Sequence, residues 1–193
     1  MYFSSHNSVA VLAFAAGPGY PRISRALLAE LAGLLSEVRV SGLFRGVVIA
    51  ASPRSFATGA SIEEVALVEG AAAREFAQTG QAVFNQIEHF PLPVVAAIRG
   101  YCLGGGLDLA LACHARVAAY DASFGHPGVS LGLITGWGGT QRLTRLIGRA
   151  SATQLMLTAE RVPASQALTL GLVDELVPSQ DLLEASLRRA GEE

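Results

Sequence analysis

Short, uninterrupted apolar runs recur along this chain, and they limit the folds open to it. Two of the runs have the length of one strand, Val47–Ala51 and Val94–Ile98, and a further strand is predicted at Ala115–Ala119, which is apolar except for Arg116. A strand that is apolar at every position fits a sheet covered on both faces. A fourth β-like segment, Val9–Phe14, precedes them. These segments therefore predict four strands, and the continuous runs favour burial on both faces.

Two long segments between these runs have the period of a helix. The first begins at Ser24 and carries one apolar stripe with spacings of 3, 4 and 7: Leu27, Leu28, Leu31, Leu34, Leu35 and Val38. The second joins Phe76 to Phe90 by alternating steps of 4 and 3, and Pro91 and Pro93 end it. Strands that alternate with helices predict an α/β fold with largely parallel pairing.

The last third of the chain has a different pattern. After Gly139 it is predicted to be helical in several short segments, one of them with Pro163 at its first helical position. A final helix is predicted from Gln180 to Ala190. No linker, charge run or repeat divides the chain, so we expect a single domain over residues 1–193.

The composition fits a compact, soluble domain and argues against several partners. Of the residues, 51% are hydrophobic and 16% charged, and 14 Lys+Arg against 16 Asp+Glu leave a net charge of −2 with neither sign in blocks. A charge-based surface for nucleic acid or an anionic membrane therefore has no support. The richest apolar stretch, Leu103–Cys113, is too short for a transmembrane helix and is interrupted by Asp108. Without a basic segment followed by an apolar one at the start, we expect a cytoplasmic location.

Three sequence patterns could indicate other kinds of site, but the residues around each of them do not support that interpretation. Residues 128–132 match Gly-x-Ser-x-Gly, but that hydrolase motif needs a histidine after the serine, and the last histidine is His126. Residues 136–139 lack the Lys-Ser/Thr ending of a phosphate loop. Cys113 and His114 adjoin each other, which does not suit a metal site, so we expect no metal and two reduced core thiols, Cys102 and Cys113.

Glycine is clustered at two predicted strand-to-helix junctions, residues 56–62 and 100–109. The first N–H groups of a helix have no acceptor within the helix. Two such ends that face one point would form an oxyanion hole, in which one donor contributes roughly 3 to 4 kcal/mol to transition-state stabilisation. The alternative is that the glycines only permit tight turns.

Four segments resemble the crotonase, or enoyl-CoA hydratase/isomerase, superfamily. They are Phe-x-x-Gly-Ala-x-Ile at 56–62, Pro-Val-Val-Ala-Ala-Ile-Arg-Gly-Tyr-x-Leu-Gly-Gly-Gly-x-Asp-Leu-Ala-Leu-Ala-Cys at 93–113, Phe-Gly-His-Pro at 124–127 and Leu-Gly-Leu-Ile-x-Gly-Trp-Gly-Gly-Thr-Gln-Arg-Leu at 131–143. The resemblance runs in order from about Val9 to about Pro178. It implies a crotonase-like spiral of ββα units, assembled as a homo-oligomer (a trimer or hexamer). Many members continue past the strand at Gly171–Asp174 into further helices, so the resemblance also implies a shortened C-terminal helical region here.

The resemblance also implies the site residues. The N–H groups of Ala60 and Gly105 would polarise the thioester carbonyl of an acyl-CoA, with Gly104 beside them and Arg54 near the CoA phosphates. Asp108 is the expected acid/base residue, because it lies three positions after Gly105 and a helix places both on the same side. A first-turn aspartate favoured by the helix dipole is the alternative.

Several positions depart from the family pattern. Hydratases generally have Glu where Asp108 stands, and a second Glu where Gly128 stands. Syn hydration uses two carboxylates, and double-bond isomerisation needs one base that carries a proton between two carbons. His126 could act in place of the missing group or be structural. The remaining departure is Ser61, where Asp is common, and it is followed by two glutamates for which a solvated first-turn role is expected, Glu63 and Glu64.

Together these residues predict an acyl-CoA-processing enzyme of the enoyl-CoA hydratase/isomerase type that stabilises a thioester enolate. Coenzyme A would be part of the substrate, and no separate cofactor is expected. The alternative is a catalytically weak or inactive homologue that binds CoA thioesters. Gly128 and the short C-terminus favour that alternative, whereas Asp108 and the two intact junctions favour an enzyme.

Overall fold

A mixed sheet forms the centre of the protein in the computed structural model, which describes residues 1–15 and 17–191. Within those residues the sheet has six strands, paired in the order β1-β2-β3-β4-β6-β9. The β1/β2 pair is antiparallel, and every other neighbouring pair is parallel. The strands are β1 (Tyr2–His6), β2 (Val9–Ala13), β3 (Gly46–Ala50), β4 (Val94–Ile98), β6 (Ala115–Ala119) and β9 (Glu175–Val177).

A smaller sheet lies beside the large one and carries the junctions of interest. Its described strands are β5 (Tyr101–Leu103), β7 (Ser123–Gly125) and β8 (Val162–Pro163). β5 and β7 are parallel, and an isolated bridge joins Ala57 to Cys102. The sequence patterns did not predict this sheet, because strands of two or three residues are too short to show a period.

The helices follow the strands in the order expected of repeated ββα units. One unit consists of β4 in the large sheet, β5 in the small sheet and the helix after them, α4 (Gly105–Ala112). A 3-10 helix spans Pro127–Leu131 after β7. The other helices are α1 (Arg25–Ser41), α2 (Ile62–Val65), α3 (Gly70–Glu88), α5 (Gly139–Ile147), α6 (Arg149–Thr158), α7 (Ala164–Thr169) and α8 (Leu182–Gly191).

The continuous apolar runs are explained by packing on both faces of the large sheet. In β3, Val47 and Ile49 join one core cluster, and Val48 and Ala50 join the other. Alternate side chains of a strand point to opposite faces, so each face needs its own apolar set. Helix α8 supplies the second cluster with Leu182, Ala185 and Ala190. The α/β fold predicted from the sequence is therefore confirmed.

The predicted start of α1 is also confirmed. Ser24 is its N-cap, and the Ser24 side chain accepts a hydrogen bond of 3.1 Å from the Leu27 N–H. Such a cap satisfies one of the N–H groups that a helix start leaves free. The stripe predicted for this helix is buried at Leu28, Leu31, Leu35 and Val38.

Two local predictions are wrong. Helix α7 begins at Ala164, because Pro163 has an extended backbone (φ −68°, ψ 160°) and pairs with Ser123 across β7 and β8. The strand placed at Gly171–Asp174 begins instead at Glu175, because Gly171 turns the chain with φ +75°. In both cases a neighbouring chain segment decides where the element begins.

Helix α4 packs so closely on the first junction that Gly106→Ala should destabilise the protein by about 3 kcal/mol. A Cβ at Gly106 would overlap the backbone carbonyl of Ala57. Gly33→Ala is the matched control, because a Cβ there meets no atom within 4 Å and alanine favours a helix by about 0.5–1 kcal/mol. Urea unfolding followed by circular dichroism measures both variants. Equal free energies of unfolding for Gly106→Ala and the wild type would contradict the packing argument.

Candidate active site

The two glycine-containing junctions lie side by side at one end of the small sheet. The Leu103 N–H donates to the Ala57 carbonyl at 2.9 Å, which ties the segments together. Gly104 (φ +52°) and Gly59 (φ +118°) adopt backbone conformations that favour glycine. A Cβ on Gly104 would make only an ordinary contact of 3.5 Å with the Gly59 Cα, whereas a Cβ on Gly106 would overlap the Ala57 carbonyl oxygen. The glycines therefore allow the close approach of two backbones as well as the turns.

The two N–H groups predicted to bind a thioester oxygen are brought together by this contact. A Cβ built on Gly105 would lie 3.3 Å from the Ala60 nitrogen. Gly105 is the first residue of α4, and Gly104, its N-cap, offers no side chain to the free N–H groups. Within the described residues, neither the Ala60 nor the Gly105 N–H donates to a protein acceptor. Both donors are thus available to a ligand.

Asp108 lies in the first turn of α4 and is fully buried. Its Oδ2 accepts a hydrogen bond from the Thr135 hydroxyl, and within the described residues its Oδ1 has no hydrogen-bond partner. Burial raises the pKa of this carboxyl to about 7, and the Thr135 hydrogen bond, the Trp137 and Gly139 backbone and the Arg142 charge partly oppose the rise. A pKa near neutral suits a group that must both accept and return a proton.

His126 faces Asp108 from the end of β7. The Gly104 N–H donates to the Gly125 carbonyl at 2.9 Å, so β7 ends next to the start of α4. The His126 Nε2 lies 3.7 Å from the Asp108 Oδ1. The ring is buried, and both of its nitrogens are without a hydrogen-bond partner among the described residues. Burial lowers the pKa of His126 to about 4, which keeps the ring neutral at pH 7.

The loop that covers Asp108, residues 132–138, is fixed by contacts that the sequence did not predict. Arg142 donates to the Trp137 carbonyl at 3.0 Å and pairs with Glu88 of α3 at 2.7 Å. The Trp137 indole is buried, and a Cβ on Gly105 would meet its Cζ3 at 2.5 Å. Because these contacts join distant segments, no local pattern indicates them.

The remaining predicted residues lie around this centre with other partners. Arg54 is exposed in the loop after β3 and donates to the Pro18 carbonyl at 3.2 Å. Ser61 caps α2 and donates to Glu63 at 2.8 Å, while Glu64 accepts from the Arg25 N–H at 2.9 Å. These contacts fit the first-turn roles expected of both glutamates.

Gly128 lies in the 3-10 helix, one residue after Pro127. A Cβ at this position would stand 3.1 Å from the Leu133 carbonyl oxygen, which is a tight contact. Any side chain there would displace the segment that leads into the loop over Asp108.

Residues 1–15 and 17–191 contain neither a candidate metal site nor a candidate membrane span. No group of three or more His, Cys, Asp and Glu side chains is arranged to hold a metal ion. Over the same residues, no helix combines the length and the apolar character that a membrane span needs.

Comparison with known proteins agrees with this architecture. Residues 5–192 match the model of the enoyl-CoA hydratase/isomerase family. Two solved structures superpose closely: an enoyl-CoA hydratase from Bacillus anthracis (TM-score 0.92, 34% identity, 98% of this chain and 74% of that one) and DspI from Pseudomonas aeruginosa (TM-score 0.93, 32% identity, 99% and 73%). The fold is that of the crotonase superfamily.

A longer protein is also similar in sequence. The fatty acid oxidation complex subunit alpha of Shewanella halifaxensis (strain HAW-EB4) is 44% identical over 165 residues, which cover 83% of this chain and 23% of that protein. This chain therefore spans about a quarter of the length of the alpha subunits that it matches. The chain belongs to the enoyl-CoA hydratase/isomerase family.

Proposed function

We propose that this protein processes acyl-CoA thioesters and holds the thioester carbonyl oxygen between the N–H groups of Ala60 and Gly105. The observation that carries the proposal is the pair of neighbouring, unengaged N–H groups at one end of the helix that bears Asp108. Preorganised backbone donors stabilise the negative charge that develops on such an oxygen.

Asp108 serves as the acid/base group in this proposal. In isomerisation of a 3-enoyl thioester, the carboxylate takes a proton from C2, the electrons move into an enolate held by the two N–H groups, and the proton returns at C4. In hydration, the carboxylate takes a proton from water as the oxygen bonds to C3, the electrons move into the enolate, and Asp108 then returns that proton to C2. The pKa of about 7 allows both directions of transfer near neutral pH.

The named relatives support the substrate class. A fatty acid oxidation complex subunit and an enoyl-CoA hydratase are among the proteins that this chain resembles. Arg54, exposed in the loop that precedes Ala60, is available to the CoA phosphates, and coenzyme A enters as part of the substrate without a separate cofactor. Assembly as a homo-oligomer and a cytoplasmic location remain predictions.

The burial of Asp108 adds a condition to this proposal. The carboxyl is covered by the loop 132–138 and bonded to Thr135, so an acyl chain reaches it only if that loop moves. Substrate binding must therefore replace the Thr135 contact or open a path beside it.

A second candidate is a homologue that binds CoA thioesters with little or no catalysis. The specific observation in its favour is Gly128, which leaves the site with one carboxylate where hydration uses two. The covered state of Asp108 fits this candidate as well.

The test is to offer 2-enoyl-CoA and 3-enoyl-CoA thioesters of several chain lengths to the wild-type protein. We expect turnover of at least one of them, seen as a change in conjugated-thioester absorbance, with the product position assigned by mass spectrometry or NMR. Saturable binding of the thioesters without turnover would contradict the enzyme and support the binding protein. Failure of all of them to bind would contradict both.

A further inference from the structure

His126 and Asp108 face each other because the small sheet places two consecutive units in register. Leu103 at the end of β5 pairs with Gly125 at the end of β7, and the Gly104 N–H bonds to the Gly125 carbonyl. The chain then continues into α4 on one side and to His126 on the other. The short parallel pair therefore brings the Asp108 carboxyl and the His126 imidazole together, although the two residues are 18 positions apart in sequence.

One carboxyl oxygen of Asp108 faces one ring nitrogen of His126. The Asp108 Oδ1 and the His126 Nε2 are both buried, both lack a hydrogen-bond partner among the described residues, and lie 3.7 Å apart. Buried polar atoms are nearly always paired, because an unpaired one loses its hydrogen bonds to water without replacement. An approach of less than about 1 Å brings the two atoms to ordinary hydrogen-bond distance.

Several other groups also act on the Asp108 carboxyl. Thr135 is bonded to Oδ2, and Arg142 acts on the carboxyl by its charge while its own donors are held by Trp137, Asn85 and Glu88. Cys102 lies near enough to interact electrostatically, but burial raises the pKa of its thiol, which keeps it neutral. The backbone N–H groups of Trp137 and Gly139 also lower the pKa of the carboxyl, but neither makes a hydrogen bond of ordinary geometry with Oδ1. His126 is thus the side-chain donor that faces Oδ1 and is itself without a partner among the described residues.

We propose that His126 is a positioning residue for Asp108: its neutral Nε2–H donates to the Asp108 Oδ1, orients the carboxyl and favours its ionised form. This inference rests on the proposed function insofar as it assigns a catalytic consequence to the pair. It gives the site a polar group in addition to Asp108, whereas Gly128 supplies no carboxylate. When the loop 132–138 moves and the Thr135 bond is lost, His126 still holds the carboxyl, because it lies on a different segment.

The direction of the effect follows from the hydrogen bond. A donor stabilises the carboxylate more than the neutral acid, so it lowers the pKa of Asp108 against the rise that burial causes. Removing the donor, as in His126→Leu, should therefore raise the pKa of Asp108, by about one pH unit for one hydrogen bond to a charged group.

NMR tests the pair without any need for turnover. With ¹⁵N-labelled histidine, and His126→Gln to assign the signal, we expect the Nε2–H tautomer at His126 and a shift of that signal in Asp108→Ala. With ¹³C-labelled aspartate, we expect the midpoint of the Asp108 carboxyl titration to rise in His126→Leu. The inference would be overturned if Nε2 of His126 carries no proton, or if the midpoint of the Asp108 titration is the same in His126→Leu as in the wild type.

Kinetics then tests the consequence with matched variants. His126→Leu should lower kcat by about tenfold or more at pH 7 and leave KM within about threefold, because the acid/base step weakens while binding does not. His126→Gln should restore most of kcat, since its amide nitrogen reaches the place of Nε2, whereas the shorter His126→Asn should not. Equal kcat in the wild type and His126→Leu would overturn the inference. A wild type without turnover but with the NMR contact intact would count against the proposed function alone, since the pair and its effect on Asp108 are then established.

Discussion

Asp108→Asn should lower the turnover of enoyl-CoA thioesters by about 10³-fold while their dissociation constants change by less than about threefold. The amide keeps the size of the side chain and an oxygen that can accept from Thr135, but it cannot take up a proton. Steady-state kinetics and calorimetric binding measure the two effects separately. The matched control is Asp121→Asn, an exposed aspartate that accepts a hydrogen bond of 3.3 Å from Ser179.

The assignment of Asp108 as the base also predicts how the kcat of the wild type depends on pH. Because the carboxylate is the base and burial raises its pKa to about 7, kcat should rise with pH through a midpoint near that value. The same shift costs stability. The unfolded chain releases this proton near 3.8, the ordinary pKa of an aspartate, so the folded state loses stability as the pH rises from there towards 7. Asp108→Asn should therefore be more resistant to urea than the wild type at pH 8. Full activity of Asp108→Asn would contradict the assignment of Asp108 as the base, but it would not contradict the proposed thioester-binding site.

Replacing the amide of Ala60 by an ester, with lactic acid in place of Ala60, should lower kcat by about 10²–10³-fold. The change removes one N–H and keeps the side chain. No donated internal hydrogen bond is lost, because the Ala60 N–H donates to no acceptor among the described residues, although the Gly59 carbonyl becomes a weaker acceptor for the Ile23 N–H at 2.9 Å. The effect should fall on kcat more than on KM, since charge on the thioester oxygen grows towards the transition state.

The chain offers a close control for this experiment. Ala26, in the first turn of α1, is also an alanine at a helix start whose N–H has no acceptor among the described residues. An ester at Ala26 should leave kcat unchanged. If the esters at Ala60 and Ala26 behave alike, the Ala60 N–H does not bind the reacting oxygen.

The large sheet could be predicted because burial on both faces produces a signal within five consecutive residues. Val47–Ala51 and Val94–Ile98 show it, and the structure has strands at Gly46–Ala50 and Val94–Ile98. The small sheet could not be predicted, since β5 and β7 have three residues each and are defined by their partners. A pairing between distant segments leaves no period in either of them.

The candidate site, too, could be predicted from the sequence only in part. The resemblance implied Ala60 and Gly105 as the donors, and helical spacing favoured Asp108 as the acid/base residue. The structure has Ala60 beside Gly105 and Asp108 in the first turn of the helix that begins at Gly105. The contacts of Asp108 with Thr135 and His126 depend on loops that the tertiary fold brings over α4. Sequence reasoning could name His126 as a candidate but not its distance from the carboxyl.

The position of Trp137 gives the protein a spectroscopic reporter of its own. It is the single tryptophan of the chain, and its six-membered ring lies against Gly105, the residue whose N–H is assigned to the ligand. Indole emission depends on the polarity and the quenchers around the ring, and here that surrounding is the site itself. Ligand occupancy can therefore be followed by intrinsic fluorescence in the unlabelled wild type, and stopped-flow mixing can separate loop movement from chemistry.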